Sequence, residues 1–220
     1  MEQFHVAIDG PAGSGKSTIS ALIAKKLNWT HIDTGAMYRA VTLNAINKGL
    51  DLNDESSYHF LEDTKITYDN EKILLDGIDV SKEIRSKEVT KNVSLVSSFA
   101  YVRKKMVTLQ RNAAIGKKII MDGRDIGTVV LKAADLKIFL TANIEERAKR
   151  RISEYPSNDN EEKRIEKVIE NIRIRDIKDS TRVESPLKKA TDAIELDTTD
   201  LTINQVVEII INMIEKKENV

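Results

Sequence analysis

The stretch Gly10-Pro11-Ala12-Gly13-Ser14-Gly15-Lys16-Ser17 decides the fold, because it fits the pattern G-x-x-x-x-G-K-[ST] at every fixed position. Glycines let backbone N–H groups turn inward and approach phosphate oxygens with no side chain in the way. Lys16 is placed to reach the β- and γ-phosphates of a nucleotide, and the Ser17 hydroxyl suits Mg²⁺. The predicted phosphate-binding residues are Gly10, Pro11, Ala12, Gly13, Ser14, Gly15, Lys16, Ser17 and Thr18.

The segments on both sides of the loop have the periodicity that this function requires. An apolar run at 4–9 predicts a buried strand before the loop. After the loop, Ile19, Leu22, Ile23 and Leu27 recur at the spacing of one helix face. A helix that begins at the end of the loop points its partial positive charge at a bound phosphate. This order favours phosphate binding over a chance glycine-rich turn.

Further apolar runs predict the rest of the fold. They lie at 30–33, 118–122, 136–141 and 193–197, and helical patterns separate them. Near-continuous apolar strands that alternate with helices are typical of a parallel sheet that is covered on both faces. The sequence therefore predicts an α/β fold of the P-loop NTPase type.

Two stretches interrupt this alternation. Residues 61–94 contain strand-like runs at 65–68 and 72–75, followed by charged helical turns, and they predict a small insert with a hairpin. Residues 155–162 are polar and predict a mobile surface loop. This loop either closes over bound phosphates or is a surface turn without a role.

Composition excludes several classes of protein. Lys and Arg together number 35, as do Asp and Glu, so the overall charge gives no support for a nucleic acid or an anionic membrane as partner. The absence of cysteine excludes disulfides, thiolate metal sites and a cysteine nucleophile. No apolar run approaches the ~20 residues that span a bilayer, and the N-terminal residues lack a signal-peptide pattern. We expect a cytoplasmic monomer.

Two arginines follow predicted strand ends. Arg39 lies just beyond the run at 30–33, and Arg124 follows the run at 118–122. Ligands of open α/β sheets bind at the carboxyl ends of the strands, and arginine binds phosphate with a permanent charge and two parallel donors. Both arginines are therefore candidate anion ligands.

More charged residues lie on the late helical segments. Arg175, Asp179 and Arg182 are spaced i, i+4 and i+7, so they share one helix face. The arginine cluster at 147–151 is either a set of phosphate ligands or a solvated helix face. Acidic residues flank this cluster, which argues against a nucleic-acid patch.

Three motifs besides the loop carry a resemblance to a known family: Asp33-Thr34-Gly35-Ala36-Met37-Tyr38-Arg39, Asp122-Gly123-Arg124-Asp125-Ile126-Gly127-Thr128, and Arg175-Asp176…Asp179…Arg182. With the loop, they resemble the bacterial cytidylate kinases, which are nucleoside-monophosphate kinases, from residue 6 to about residue 216. The resemblance implies direct in-line phosphoryl transfer from ATP to CMP, and also to dCMP, assisted by Mg²⁺. It implies a sheet of about five parallel strands, with an NMP-binding insert at 61–94, a lid at 153–165, and a core at 1–60, 95–152 and 166–220.

The resemblance also implies roles for individual residues. Thr34, Arg39 and Arg124 would hold the CMP phosphate. Cytosine would be read by Ser94, Arg103 and Asp125, with Arg182 nearby, and the ribose and phosphate would be contacted by Asp179 and Arg175. The implied catalytic residues are Lys16, Arg124, Arg150, Arg151 and Arg175.

The residues themselves leave two other functions open. One is a P-loop kinase of a different small acceptor, such as another nucleotide or a hydroxyl-bearing metabolite. The other is a nucleotide-dependent switch, against which two absences argue. The sequence has no guanine-reading N-K-x-D, and no Asp is followed by Gly three residues later, so the D-x-x-G switch element is missing.

Overall fold

A computed structural model describes residues 3–69, 72–153 and 161–219, with side chains from residue 164 onward in the last range. In chain order the strands and α-helices are β1 (Phe4–Asp9), α1 (Lys16–Leu27), β2 (Thr30–Asp33), α2 (Thr34–Asn47), β3 (Ile66–Asp69), β4 (Lys72–Leu75), β5 (Ile78–Asp79), α3 (Lys87–Val96), α4 (Ala100–Ala114), β6 (Lys118–Gly123), β7 (Leu136–Thr141), α5 (Ile144–Ser153), α6 (Glu161–Thr181), β8 (Ile194–Asp197) and α7 (Ile203–Glu218).

The central sheet has five parallel strands in the order β2-β6-β1-β7-β8, which confirms the predicted fold class. The order places β6 between β1 and β2, although β6 comes much later in the chain. Asp9 is in register with Gly123, and Asp33 with Asp122. Since all five strands run the same way, their carboxyl ends form one edge of the sheet, where the predicted ligand residues collect.

Both faces of the sheet are covered, as the near-continuous apolar strands predict. On β6, Ile120 packs into the core beneath α1 and α7, whereas Met121 packs into the core beneath α2 and α4. The buried apolar face of α1 and of α7 is narrower than the spacing of their apolar residues predicts. Ile23 is fully buried, but Leu22 is 36% exposed, and Ile203 at the start of α7 is 51% exposed. Helices α1 and α7 therefore bury only the side that faces the sheet, whereas most residues of α2 are buried.

The predicted insert forms a three-stranded antiparallel sheet in the order β3-β4-β5, so a third strand follows the predicted hairpin. A short 3₁₀ turn and α3 come next, and α3 packs against α2. Because α3 continues to Val96, it crosses the predicted boundary at residue 94. The Tyr68 hydroxyl of β3 donates a hydrogen bond to the Asp33 carbonyl, so the insert contacts the end of β2 directly.

The predicted lid at 153–165 lies largely outside the described residues, since 154–160 are not among them. Its two flanking helices, α5 and α6, pack against each other. Within the described part of the chain, none of the helices combines the length and apolar character needed to cross a membrane.

Candidate active site: a cleft at the carboxyl edge of the sheet

A cavity of about 1600 Å³ includes the carboxyl edge of the sheet and extends past β2 to Trp29 and Lys117. Pockets for one drug-sized ligand span about 300–1,000 Å³, so this cavity has room for more than one small ligand. It joins the predicted phosphate loop to the predicted acceptor residues. The residues from those predictions that line it are Gly13, Gly15, Lys16, Ser17, Thr18, Thr34, Arg39, Arg103, Arg124, Asp125, Arg151, Arg175, Asp179 and Arg182.

The loop between β1 and α1 has the conformation that its glycines permit. Gly10 has φ 154° and Gly15 has φ 87°, both in the region that side chains disfavour. A Cβ at Gly10 would lie 2.0 Å from the Leu140 carbonyl oxygen of the neighbouring strand. The loop therefore requires glycine there for two reasons, its backbone angle and its close approach to β7. Helix α1 begins at Lys16, directly after the loop.

The Lys16 ammonium is buried inside this loop. Its Nζ donates to the Pro11 carbonyl at 2.7 Å and to Ser14 Oγ at 3.1 Å, and the residue is only 5% exposed. Burial, followed by the positive charge of Arg124, lowers the pKa of Lys16 well below its usual value. An anion bound in the loop would compensate this desolvated charge.

The Ser17 hydroxyl and the Asp122 carboxylate form an oxygen pair beneath the loop. Ser17 Oγ donates to Asp122 Oδ2 at 2.7 Å, and Asp122 is 2% exposed. Hard oxygen ligands of this kind suit Mg²⁺. The described residues contain no cluster of three or more His, Cys, Asp or Glu that could hold a metal. A cation here would therefore take its other ligands from phosphate and water, as Mg²⁺ commonly does.

Three arginines surround Asp179 of α6 on the opposite side of the cleft. Arg124 Nε donates to Asp179 Oδ2 at 2.9 Å, and nitrogens of Arg175 and Arg182 lie 4.0 Å from the same carboxylate. Burial acts to raise the pKa of Asp179, but the three guanidinium groups outweigh it and lower the pKa. Burial and then the charge of Arg124 lower the pKa of Arg175 to about 10. One carboxylate does not neutralise three arginines, so the region attracts anions.

A second carboxylate, Asp125, lies between Arg103 and Arg182. Arg103 Nη2 donates to Asp125 Oδ2, and Arg182 Nη2 is 3.8 Å from Asp125 Oδ1. The Arg103 guanidinium also lies over the Tyr38 ring, 5.3 Å from its centroid. Among the described residues, buried Arg103 Nε, Arg182 Nη2 and Ser94 Oγ have no hydrogen-bond partner. Buried polar atoms without a partner beside the cleft indicate that a polar ligand supplies their missing hydrogen bonds. Ser94 does not itself line the cavity.

Two of the three residues predicted to hold an acceptor phosphate, Thr34 and Arg39, lie in the first two turns of α2. Thr34 Oγ1 donates to the Asp122 carbonyl at 2.7 Å and is buried. Arg39 Nη1 donates to Thr90 Oγ1 at 2.9 Å and to the Ile84 carbonyl at 3.3 Å, so residues of the insert hold it. Arg39 thus links the insert to the wall of the cleft.

Comparison with known proteins decides the family. Residues 6–216 match the family model described as cytidylate kinase. The chain belongs to the cytidylate kinase family. A cytidylate kinase of Acholeplasma laidlawii is 59% identical over 220 residues, covering 100% of this chain and 99% of that protein. Another, from Fusobacterium nucleatum, is 49% identical over 221 residues, covering 98% of this chain and 99% of its own.

A solved structure supports the fold alone. An uncharacterized protein from Eubacterium ventriosum matches with a TM-score of 0.51 at 14% identity, covering 98% of this chain and 99% of that one. This chain therefore shares its overall architecture with a protein of very different sequence.

The three arginines of the cluster on α5 differ in their contacts. Arg151 lines the cleft. The Arg150 guanidinium donates to the Thr198 carbonyl at 2.7 Å and to Thr198 Oγ1 at 3.0 Å, and its Nη1 also donates to the Ser14 carbonyl of the phosphate loop at 3.4 Å. Arg147 is buried and donates to the Ala12 carbonyl of the phosphate loop at 3.0 Å. The cluster is therefore not simply a solvated face.

Two residues that line the cleft, Asp122 and His31, are not among the site residues that the sequence predicts. Asp122 belongs to a motif that was recognised, but its pairing with Ser17 was not predicted. His31, to which the sequence motifs assign no role, has Nε2 2.7 Å from Asp122 Oδ1 in the cleft wall. The available signal was position, since both residues lie near the carboxyl ends of adjacent parallel strands.

Proposed function

We propose that this chain transfers the γ-phosphoryl group of ATP to CMP. The observation that carries the proposal is the single cavity that joins the phosphate loop to the arginine–carboxylate clusters around Asp125 and Asp179. Phosphoryl transfer needs two anionic substrates positioned together and the spread charge of the transition state stabilised. The family membership supports CMP as the acceptor.

On the donor side, the loop and Lys16 bind the phosphates of ATP. The loop N–H groups and the buried ammonium present positive charge to the β- and γ-phosphates. Ser17 and Asp122 are the residues that would hold Mg²⁺, which supplies neutralisation of phosphate charge when it is bound. Ser17 changes partner from the carboxylate to the metal in this proposal.

On the acceptor side, the base and the phosphate are read separately. Asp125 accepts from the N4 amino group of cytosine, while Arg103 donates to its O2 or N3 acceptors, with Ser94 and Arg182 completing the pocket. This arrangement mispairs with uracil, which carries an oxygen at that position. The remaining set contacts the sugar and the phosphate: Thr34, Arg39, Arg124, Arg175 and Asp179.

For the transfer itself, the chain supplies positioning and charge without a covalent enzyme intermediate. Lys16, Arg124 and Arg175 act on the migrating group inside a site of low dielectric constant, where each charge stabilises more than in water. Arg151 extends this set from α5 because it lines the cleft. Arg150 keeps its proposed place in the set, and it would have to leave Thr198 to reach a phosphate.

Several finer features are part of the proposal. They are a cytoplasmic location, a monomer, dCMP as a second acceptor, an NMP-binding insert at 61–94 and a lid at 153–165. A deoxyribose loses the contact between the 2′-hydroxyl and Asp179, so we expect dCMP to bind less tightly than CMP.

Coupled turnover with ATP and a panel of nucleoside monophosphates tests the function. We expect the highest kcat/KM with CMP and a clearly lower value with UMP, AMP and GMP. ADP release that needs a different acceptor, such as a hydroxyl-bearing metabolite, would move the assignment to another P-loop kinase. Nucleotide binding without acceptor-dependent turnover would favour a switch.

A further inference from the structure

The backbone of Ala12, in the middle of the phosphate loop, is held on both sides by one ion pair. Its N–H donates to Asp176 Oδ1 at 3.0 Å, and its carbonyl accepts from Arg147 Nη1 at 3.0 Å. The same Arg147 nitrogen donates to Asp176 Oδ2. These three hydrogen bonds join α5, α6 and the loop in a closed ring.

Arg147 is the buried member of the pair, and the Asp176 side chain is 22% exposed. Arg147 is 8% exposed, and its Nε donates to the Ala142 carbonyl at 3.1 Å. The backbone of Arg147 also limits the next loop residue, because a Cβ at Gly13 would lie 3.1 Å from the Arg147 carbonyl oxygen. The pair therefore contacts two consecutive residues of the loop.

We propose that Arg147 and Asp176 are positioning residues that hold the phosphate loop in its nucleotide-binding conformation. A glycine-rich loop has many accessible backbone conformations, and its N–H groups converge on a phosphate in only a few of them. Fixing the donor and the acceptor of Ala12 together removes much of that freedom before the nucleotide arrives. Only the identity of the nucleotide, ATP, rests on the proposed function.

The sequence position of Asp176 adds a second consequence. Its neighbour Arg175 lines the cleft, so adjacent residues of α6 hold the loop and face the substrates. The loop and a cleft arginine are positioned by one helix.

The test compares three variants with one control. Arg147→Met removes the guanidinium that donates to the Ala12 carbonyl and to Asp176. Asp176→Asn keeps an oxygen for the Ala12 N–H but loses the negative charge. In the exchange variant, Arg147→Asp with Asp176→Arg, the two helices keep an ion pair but the donor and acceptor that face Ala12 are inverted. The control, Asp192→Asn, breaks the pair with Lys137 away from the loop.

Isothermal titration with a non-hydrolysable ATP analogue is the first readout, and KM for ATP and for CMP is the second. We expect the analogue to bind on the order of tenfold more weakly to Arg147→Met and to the exchange variant, with a smaller loss in Asp176→Asn. KM for CMP should stay within about twofold of wild type in each. The control should bind the analogue normally.

If the Arg147–Asp176 pair only stabilises the fold, the variants will give different results. If the exchange variant restores both the melting temperature and the analogue affinity, the pair only joins two helices and the proposal is wrong. Equal losses for ATP and CMP also contradict it. If Arg147→Met does not fold, Asp176→Asn and the exchange variant decide. A wild-type protein that binds the analogue but does not phosphorylate CMP would refute the proposed acceptor and leave the titration of the variants as a valid test.

Discussion

His31 Nε2 lies 2.7 Å from Asp122 Oδ1, while the Ser17 hydroxyl donates to the other oxygen of the same carboxylate. The histidine therefore orients the carboxylate that is proposed to hold Mg²⁺. Partners that orient metal ligands typically change metal affinity by about 10–100-fold when they are removed.

We expect His31→Phe to raise the Mg²⁺ concentration needed for half-maximal turnover by about tenfold, because Asp122 loses the partner that fixes its orientation. Turnover measured against Mg²⁺ concentration at fixed ATP is the assay. His59→Phe is the matched control, because His59 packs beside Tyr101 on the surface, away from the cleft. An unchanged Mg²⁺ requirement in folded His31→Phe would show that Asp122 keeps its orientation without the histidine.

Lys16→Met should reduce kcat by about 10³-fold or more, since it removes a charge from the migrating phosphoryl group. The fold should survive, because burial already disfavours this ammonium and the apolar replacement has a similar length. Single-turnover kinetics with a circular dichroism melt on the same sample measure both properties. A near-normal kcat in a folded variant would show that ATP does not bind in this loop.

Asp125→Asn should lower kcat/KM for CMP more than for UMP, because the carboxylate partner of the cytosine amino group is lost. Arg39→Ala is the comparison, and it should reduce both values alike, since CMP and UMP carry the same phosphate. Steady-state kinetics with CMP and with UMP gives the ratio of variant to wild-type kcat/KM for each acceptor. If Asp125→Asn lowers kcat/KM for CMP and for UMP by the same factor, as Arg39→Ala should, the base-reading role of Asp125 is wrong.

Asp9 predicts a pH dependence of stability. Burial raises the pKa of this carboxyl to about 6, against lowering by the N–H groups of Gly127 and Ile126. Between the unfolded pKa of 3.8 and about 6, the folded state binds more protons than the unfolded state, so stability falls as pH rises. The contribution of Asp9 falls by about 2–3 kcal/mol over that range and is constant above it.

Urea unfolding of the wild type and of Asp9→Asn at several pH values isolates this effect, because the other acids titrate in both proteins. We expect the difference in unfolding free energy between the two proteins to change between pH 4 and 6 and to stay level from pH 7 to 8. A difference that is flat throughout would show that Asp9 ionises normally in the folded protein.

Gly10→Ala should prevent stable folding or cost several kcal/mol, because the new Cβ would lie 2.0 Å from the Leu140 carbonyl oxygen. Gly77→Ala is the matched control. Gly77 also has a positive φ, 84°, but a Cβ there meets nothing within 4 Å, so it should cost only about 1 kcal/mol. Urea unfolding compares the two. Similar costs would mean that β7 moves aside for the added methyl group.

Local sequence determined the elements that depend on neighbouring residues. The loop motif predicts its own turn, and β1 and β7 have the bounds predicted from their apolar runs, because hydrophobic periodicity acts over a few residues. The third strand of the insert was missed because Ile78–Asp79 is too short to show a period. The lid and the roles of the individual site residues stay predictions.

The tertiary structure alone decided which charged residues meet. Asp176 holds Ala12 across 164 residues, and Arg124 pairs with Asp179 across 55. Arg147 and Arg150 belong to one arginine run, yet Arg147 pairs with Asp176 of α6 whereas Arg150 donates to Thr198. A charged pattern looks the same in sequence whether a helix face is solvated or packed. The rotation of α5 and α6 against the sheet decides the outcome, because it depends on side-chain packing between segments that are distant in the chain.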